Sequence, residues 1–221
     1  MSEGASDHNR ILAVAAREGL GSLGLSRRGR SRVWIDDHGW WVILVEFQPS
    51  SWSKGSYLNV GFQHLWRVTD HVSFDRPERL NIDGQQFLSF DVARPEVFQA
   101  AASRLVEKAR QAVEHRRLQH GDGSEAVERI AWAETESIYE LYDAGTGLGL
   151  LGERQAANDR FARILALDGS SLAWLAELQN QARVLAAVLD DKDALIAEVT
   201  RRVGKTRTAL RMPPWDGQGL T

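Results

Sequence analysis

The hydrophobic pattern changes period once along the chain. Ile11, Leu12, Val14 and Ala15 recur at helical spacing behind Ser6 and Asp7, either of which can cap a helix. They predict a helix over residues 7–18, ended by Gly19, Gly21 and Gly24. Alternation then takes over: Val33 and Ile35 between Arg32, Trp34 and Asp36 predict a strand, and Asp37-His38-Gly39 a tight turn. A second strand follows over 40–48, a loop over 49–55 and a third strand over 57–66. Two more extended segments, 71–74 and 87–92, flank a turn at Asn81-Ile82-Asp83-Gly84.

From Pro95 the period is 3.6. Phe98, Ala101, Ala102, Leu105, Ala109, Ala112 and Val113 form one apolar stripe over 95–118, broken by His120-Gly121-Asp122-Gly123. A helix capped by Ser124 carries Val127, Ile130, Ile138, Leu141 and Tyr142 and ends at Gly145 and Gly147. A third carries Leu150, Ala157, Phe161 and Ile164; a fourth runs from Leu172 to Leu189, and a fifth covers 192–210. Met212-Pro213-Pro214-Trp215 cannot continue it. Strands before helices give an α+β class: an N-terminal helix, a mostly antiparallel sheet of four to six strands, and a helical C-terminal region. The division is a sheet domain at 7–118 and a helical subdomain at 124–210, with tails at 1–5 and 212–221.

Composition narrows the functional classes. With 221 residues, 43% hydrophobic and 26% charged, the chain has the balance of a soluble globular protein. A formal net charge of −3 provides no global field for nucleic acid or an anionic bilayer. Zero cysteines exclude a disulfide, a thiol nucleophile and a thiolate metal site, and fit a reducing cytoplasm. The longest apolar run, Trp40 to Val45, is far short of a membrane span, and no signal-peptide core follows the polar first ten residues. Only four of the 27 basic residues are lysine, an arginine skew that points to a bacterium.

The sheet concentrates the unusual side chains, with Trp34, Trp40, Trp41, Trp52 and Trp66 within 33 residues. Alternation assigns Val33, Ile35, Trp41, Ile43, Val45, Phe47, Leu58, Val60, Phe62 and Trp66 to a buried face. The opposite face receives Arg32, Trp34, Asp36, Trp40, Glu46, Gln48, Tyr57, Asn59 and Gln63. Of these, Trp40, Glu46, Gln48, Tyr57 and Asn59, with Trp52 and Lys54 from the loop, are the binding candidates, because they combine flat apolar area with oriented donors and acceptors. Gly55 and the neighbouring N–H groups could form an anion nest with Lys54, although the loop lacks phosphate-loop spacing.

Arg27, Arg28, Arg30 and Arg32 place four guanidiniums in six residues, a candidate anion site, with a solvated turn the simpler account. Asp36, Asp37, His38, His64, Asp70, His71 and Asp75 are metal-type ligands whose spacing matches no zinc motif, so no metal and no cofactor are expected. No nucleophile elbow or dinucleotide fingerprint occurs, and no catalytic residue is named.

The segments SRRGRSRVWIDDHGWWVILVEFQPSSWSKGSYLNVGFQHLW and DHVSFD resemble a bacterial group of hypothetical proteins related to the domain of unknown function family numbered 4304, over about residues 8–118. The resemblance implies an α+β domain and carries no activity, ligand or catalytic residue. The expected function is therefore a non-catalytic cytoplasmic interaction module of immunity, defence or adaptor type that binds another protein through the aromatic, polar sheet face. The alternatives are a small-molecule or nucleotide binder, which could be an enzyme, at the Trp52 and Lys54 loop, and a less favoured nucleic-acid binder acting through the arginine turn. No membrane partner is expected.

Overall fold

A computed structural model describes residues 3–91, 93–121 and 123–220. The elements in order are α1 (Glu3–Gly21), β1 (Ser26–Arg27), β2 (Val33–Asp37), β3 (Trp41–Pro49), β4 (Gly55–His64), β5 (Asp75–Arg79), β6 (Phe87–Ser89), α2 (Pro95–His120), α3 (Gly123–Ala131), α4 (Ile138–Leu150), α5 (Arg154–Leu165), α6 (Ala173–Ala186) and α7 (Lys192–Ala209). This is the expected α+β arrangement of a helix, an antiparallel sheet and a helical region. The chain forms two compact units, one of residues 1–63 and 73–119 and one of 64–72 and 120–221, so the segment 64–72 groups with the helices and not with the sheet domain.

In the first unit the strand order is β1-β2-β3-β4-β5, with β6 also paired to β4. One edge of β4 is thus shared: Tyr57 opposes Phe87 on β6, and Asn59 opposes Arg79 on β5. β3 is central, and Trp41 to Val45 are almost fully buried, which accounts for a continuous apolar run in place of alternation. Of the residues expected in the core, Val45, Phe47, Leu58 and Val60 are buried, while Phe62 is only half-buried, with the Arg116 guanidinium 5.7 Å from its ring.

The face assignment of β2 is overturned. Its register pairs Val33 with Glu46, Trp34 with Val45 and Asp36 with Ile43. Opposed residues share a face, so Val33 and Ile35 stand with Leu44 and Glu46, while Trp34 and Asp36 stand with Ile43 and Val45. The cause is turn length. Trp40 joins Gly39 (φ 82°) in the turn, closed by the His38 N–H donating to the Trp41 carbonyl at 3.0 Å, and a one-residue shift reverses the parity of the whole strand. Trp40 is 1% exposed, its ring 6.3 Å from that of Trp41, and does not belong to an open surface.

Other boundaries moved for identifiable reasons. α1 begins at Glu3, so residues 3–5 are helical and Ser6 and Asp7 lie inside the helix. β1 forms within the arginine turn. The strand expected at 71–74 is instead β5, whose Pro77 is tolerated because β5 is an edge strand. The segment expected at 87–92 is strand only over β6, and Val92 lies outside the described residues, as does Asp122 of the helix break.

In the second unit, Gly145 and Gly147 lie inside α4 and do not terminate it. A Cβ at Gly145 would stand 2.8 Å from Phe161 Cε1, and one at Gly147 would stand 3.2 Å from Ala131 Cβ, so glycine is what lets α5 and α3 approach α4. The single helix expected from Ser124 is correspondingly split into α3 and α4, and Ser124 sits within α3. Asp191 caps α7 by accepting from the Ala194 N–H at 3.0 Å. The segment after α7 is non-helical as expected but is docked and not loose: Leu220 is buried, and Arg207 Nε donates to the Pro213 carbonyl at 2.7 Å.

Candidate functional site

On the face of the sheet bearing Glu46, the side chains of β3, β4 and β5 form one network. Asn59, 9% exposed, is its centre. Its Nδ2 donates to Glu46 Oε2 and to Gln48 Oε1, both at 3.0 Å, while its Oδ1 accepts from Arg79 Nε at 3.1 Å. Arg79 also donates to Gln48 Oε1 at 2.6 Å, and its guanidinium lies 4.3 Å from the Tyr57 ring centre. Tyr57 in turn rests against Phe87 of β6, with ring centres 4.9 Å apart. Four strands thus contribute to a platform whose geometry is set before any partner arrives.

The platform keeps spare bonding capacity. Among the described residues no partner engages Glu46 Oε1 or the amide nitrogen of Gln48, and both side chains are half-buried. Strand alternation brings Glu46, Gln48, Tyr57 and Asn59 together as expected; Trp40 is excluded by its burial, and Arg79, which the expectation omitted, completes the set. Arg79 was hidden because its segment, DRPER, carries a proline and four charges, an unpromising strand until it is paired at an edge.

Trp52 is 94% exposed at the tip of the loop between β3 and β4, and Lys54 is also exposed. The loop is folded on itself: Ser50 Oγ accepts from the N–H groups of Trp52 (3.1 Å) and Ser53 (3.3 Å). Its base is pinned by the Phe90 N–H donating to the Lys54 carbonyl at 2.9 Å. Gly55 opens β4 opposite Ser89 with φ 149°, and any Cβ there would collide with the Leu88 carbonyl oxygen. Two of the loop amides, those of Trp52 and Ser53, are therefore already committed to Ser50.

The four arginines do not converge. Arg27 folds back on its own turn, Nε donating to the Ser31 carbonyl at 2.6 Å and a terminal nitrogen to the Arg30 carbonyl at 3.2 Å. Arg30 is exposed, and Arg27 and Arg32 line a common cavity with residues of α1. Asp36 is likewise committed: its carboxylate takes a two-pronged ion pair from Arg117 (2.7 and 2.8 Å) and a bond from His38 Nε2 at 2.8 Å. Burial opposes ionisation of Asp36, but these bonds hold its carboxyl below the ordinary value of 3.8.

The second unit holds a polar cluster that sequence reasoning reached only through His64. Asp143 of α4 is buried and accepts from Trp66 Nε1 at 2.8 Å, contacts His64 Nδ1 at 2.9 Å and lies 3.7 Å from Arg67. Burial pushes its carboxyl up, yet His64 and Arg67 prevail and hold it below the ordinary range. Beside it Arg202 donates to the Tyr142 hydroxyl at 2.9 Å and bonds Glu198 at 2.7 Å; burial pushes the Tyr142 hydroxyl well above its usual range. Gln181 bonds both the N–H (2.9 Å) and the carbonyl (3.1 Å) of Val68, which stitches the segment 64–72 to α6. The one sequence signal for this cluster was a carboxylate, Asp143, at the head of the uncharged run AGTGLGL in the stretch IYELYDAGTGLGL.

Comparison of the chain with family models, with curated proteins and with solved structures returns no match. Among the described residues no helix is long and apolar enough to cross a membrane.

Proposed function

We propose that this chain is a non-catalytic cytoplasmic binding module of bacterial origin, of immunity, defence or adaptor type, which takes another protein on the Glu46, Gln48, Tyr57, Asn59 and Arg79 face of its sheet. The observation that carries the reading is the Asn59-centred network, ordered in the free chain and retaining an acceptor on Glu46 and a donor on Gln48. A protein interface needs such a polar surface beside an aromatic anchor, and Trp52 at the hairpin end of the same two strands supplies the anchor. The resemblance over residues 8–118, itself a proposal, adds no activity to this reading.

The two alternatives find less support. A nucleotide at the Trp52 and Lys54 loop would compete with Ser50 for the Trp52 and Ser53 N–H groups, and a nucleic acid at the arginine turn would find Arg27 already bonded to the Ser31 and Arg30 carbonyls.

The test is capture of partners by the whole chain, followed by titration calorimetry with the recovered partner against the Trp52→Ala/Lys54→Ala variant. Both residues are exposed, so the variant should keep the wild-type melting temperature. It should lose about 2 kcal/mol or more of binding free energy. Unchanged affinity for the recovered protein, or recovery of nucleotide or nucleic acid in its place, overturns the reading.

A further inference from the structure

Two histidines of the helical unit offer a chemistry that the sheet platform lacks. His64 opens the segment 64–72, and His120, the last residue of α2, falls in the same unit. They lie 56 residues apart in the chain, yet their Nε2 atoms stand 3.3 Å apart, with ring centres separated by 5.4 Å and planes inclined by 23°. Two bonds to one tetrahedral ion at about 2.0–2.1 Å each would separate their nitrogens by about 3.3–3.4 Å, so the pair already spans one edge of such a site. A pairing over this chain distance matches no short ligand motif, which is why spacing alone predicts no metal here.

His64 is oriented from behind. Its Nδ1 faces Asp143 Oδ2 at 2.9 Å, and a carboxylate only accepts, so Nδ1 carries the proton and a neutral ring presents its lone pair at Nε2. Asp143 is fixed in turn by Trp66 Nε1 at 2.8 Å, and the Trp66 ring lies against that of His64 with centres 5.1 Å apart. Around protein-bound metals, a carboxylate behind a histidine sets the tautomer and raises the basicity of the ligating nitrogen. His64 is 3% exposed, whereas His120 is half-buried where α2 ends and the chain turns at Gly121 (φ 72°).

We propose that His64 Nε2 and His120 Nε2 together bind one divalent cation of the zinc class, with Asp143 orienting His64 and water filling the remaining positions. Imidazole suits zinc, nickel and copper, while magnesium and calcium take oxygen. The ion takes the place of the proton that the two facing nitrogens share, so binding releases that proton. It arrives from the His120 side, the less buried of the two rings. Two protein ligands leave open positions, which makes this an exchangeable site and not a closed structural one.

The experiment is calorimetric titration of the full chain with Zn²⁺ and, separately, Mg²⁺, alongside nitrogen-resolved NMR of the histidine rings. Zn²⁺ should bind roughly tenfold or more tightly than Mg²⁺ and raise the melting temperature. It should move the Nε2 resonances of two of the six histidine rings and leave the other four in place. His120→Ala should weaken Zn²⁺ by roughly tenfold or more with the metal-free melting temperature unchanged, since that ring is half-buried at a helix end. If His120→Ala does not fold, the ring spectra of the wild type decide the matter. His71→Ala removes an exposed histidine of the same unit and should bind Zn²⁺ as the wild type does. No Zn²⁺ binding, equal binding of Mg²⁺, binding insensitive to His120→Ala, or Nε2 shifts on other than two rings overturns the proposal.

Discussion

The Asn59 platform of the sheet unit and the Asp143 cluster of the helical unit use similar chemistry at different depths. Both join a carboxylate or amide to an arginine and an aromatic ring. Around Asp143 one carboxylate oxygen accepts from Trp66 and the other faces His64 and Arg67, so the group holds segment 64–72 to α4. Around Asn59 the inner bonds are made while Glu46 and Gln48 keep unfilled positions toward the outside. Satisfaction at the core and residual capacity at the rim distinguish a polar network that holds a fold from one that can receive a partner.

Variants can break this contrast in order of expected size. Asp143→Ala strands Arg67 and His64 in the interior and should cost about 3–5 kcal/mol, read by urea denaturation, because removing one partner leaves an uncompensated buried charge. A loss below about 1 kcal/mol would move the cluster from structural to functional. Acid should act on the same groups. The carboxyls of Asp143 and Asp36 lie below the ordinary aspartate value of 3.8, so they bind fewer protons folded than unfolded; their stabilisation is complete above that value and is lost as pH falls from it through their lower folded values. Denaturation midpoints should therefore drop below about pH 4, and Asp36→Asn should flatten part of that slope.

Asn59→Ala removes the hub of the platform and should cost about 1–2 kcal/mol, since its partners regain water on a half-buried face. If it equals Asp143→Ala in cost, the two networks do not differ in kind. Trp52→Ala should leave stability within about 0.5 kcal/mol by the same denaturation curve, the smallest effect of the set and the one that pairs with the largest loss of binding.

Local pattern made much of this legible. The change of period near Pro95, the paired glycine-type turn at Asp83 and Gly84 (φ 50° and 79°) and the convergence of Glu46, Gln48, Tyr57 and Asn59 all follow from interactions within a few residues or within one hairpin. The arginine-rich turn was legible as a cluster of charge, but which two guanidiniums share a cavity was not. The sequence by itself determined the α+β class, the order of elements and which residue types lie on the sheet. Tertiary structure alone decided the parity of β2, because one turn residue reverses a strand; the continuity of α4 through Gly145 and Gly147, because neighbouring helices need that closeness; and the entry of Arg79 and Asp143 into their networks, because those partners lie 20 and 79 residues away along the chain. Helix and strand preferences act over a few neighbours, whereas contacts at such separations exist only once the chain has folded.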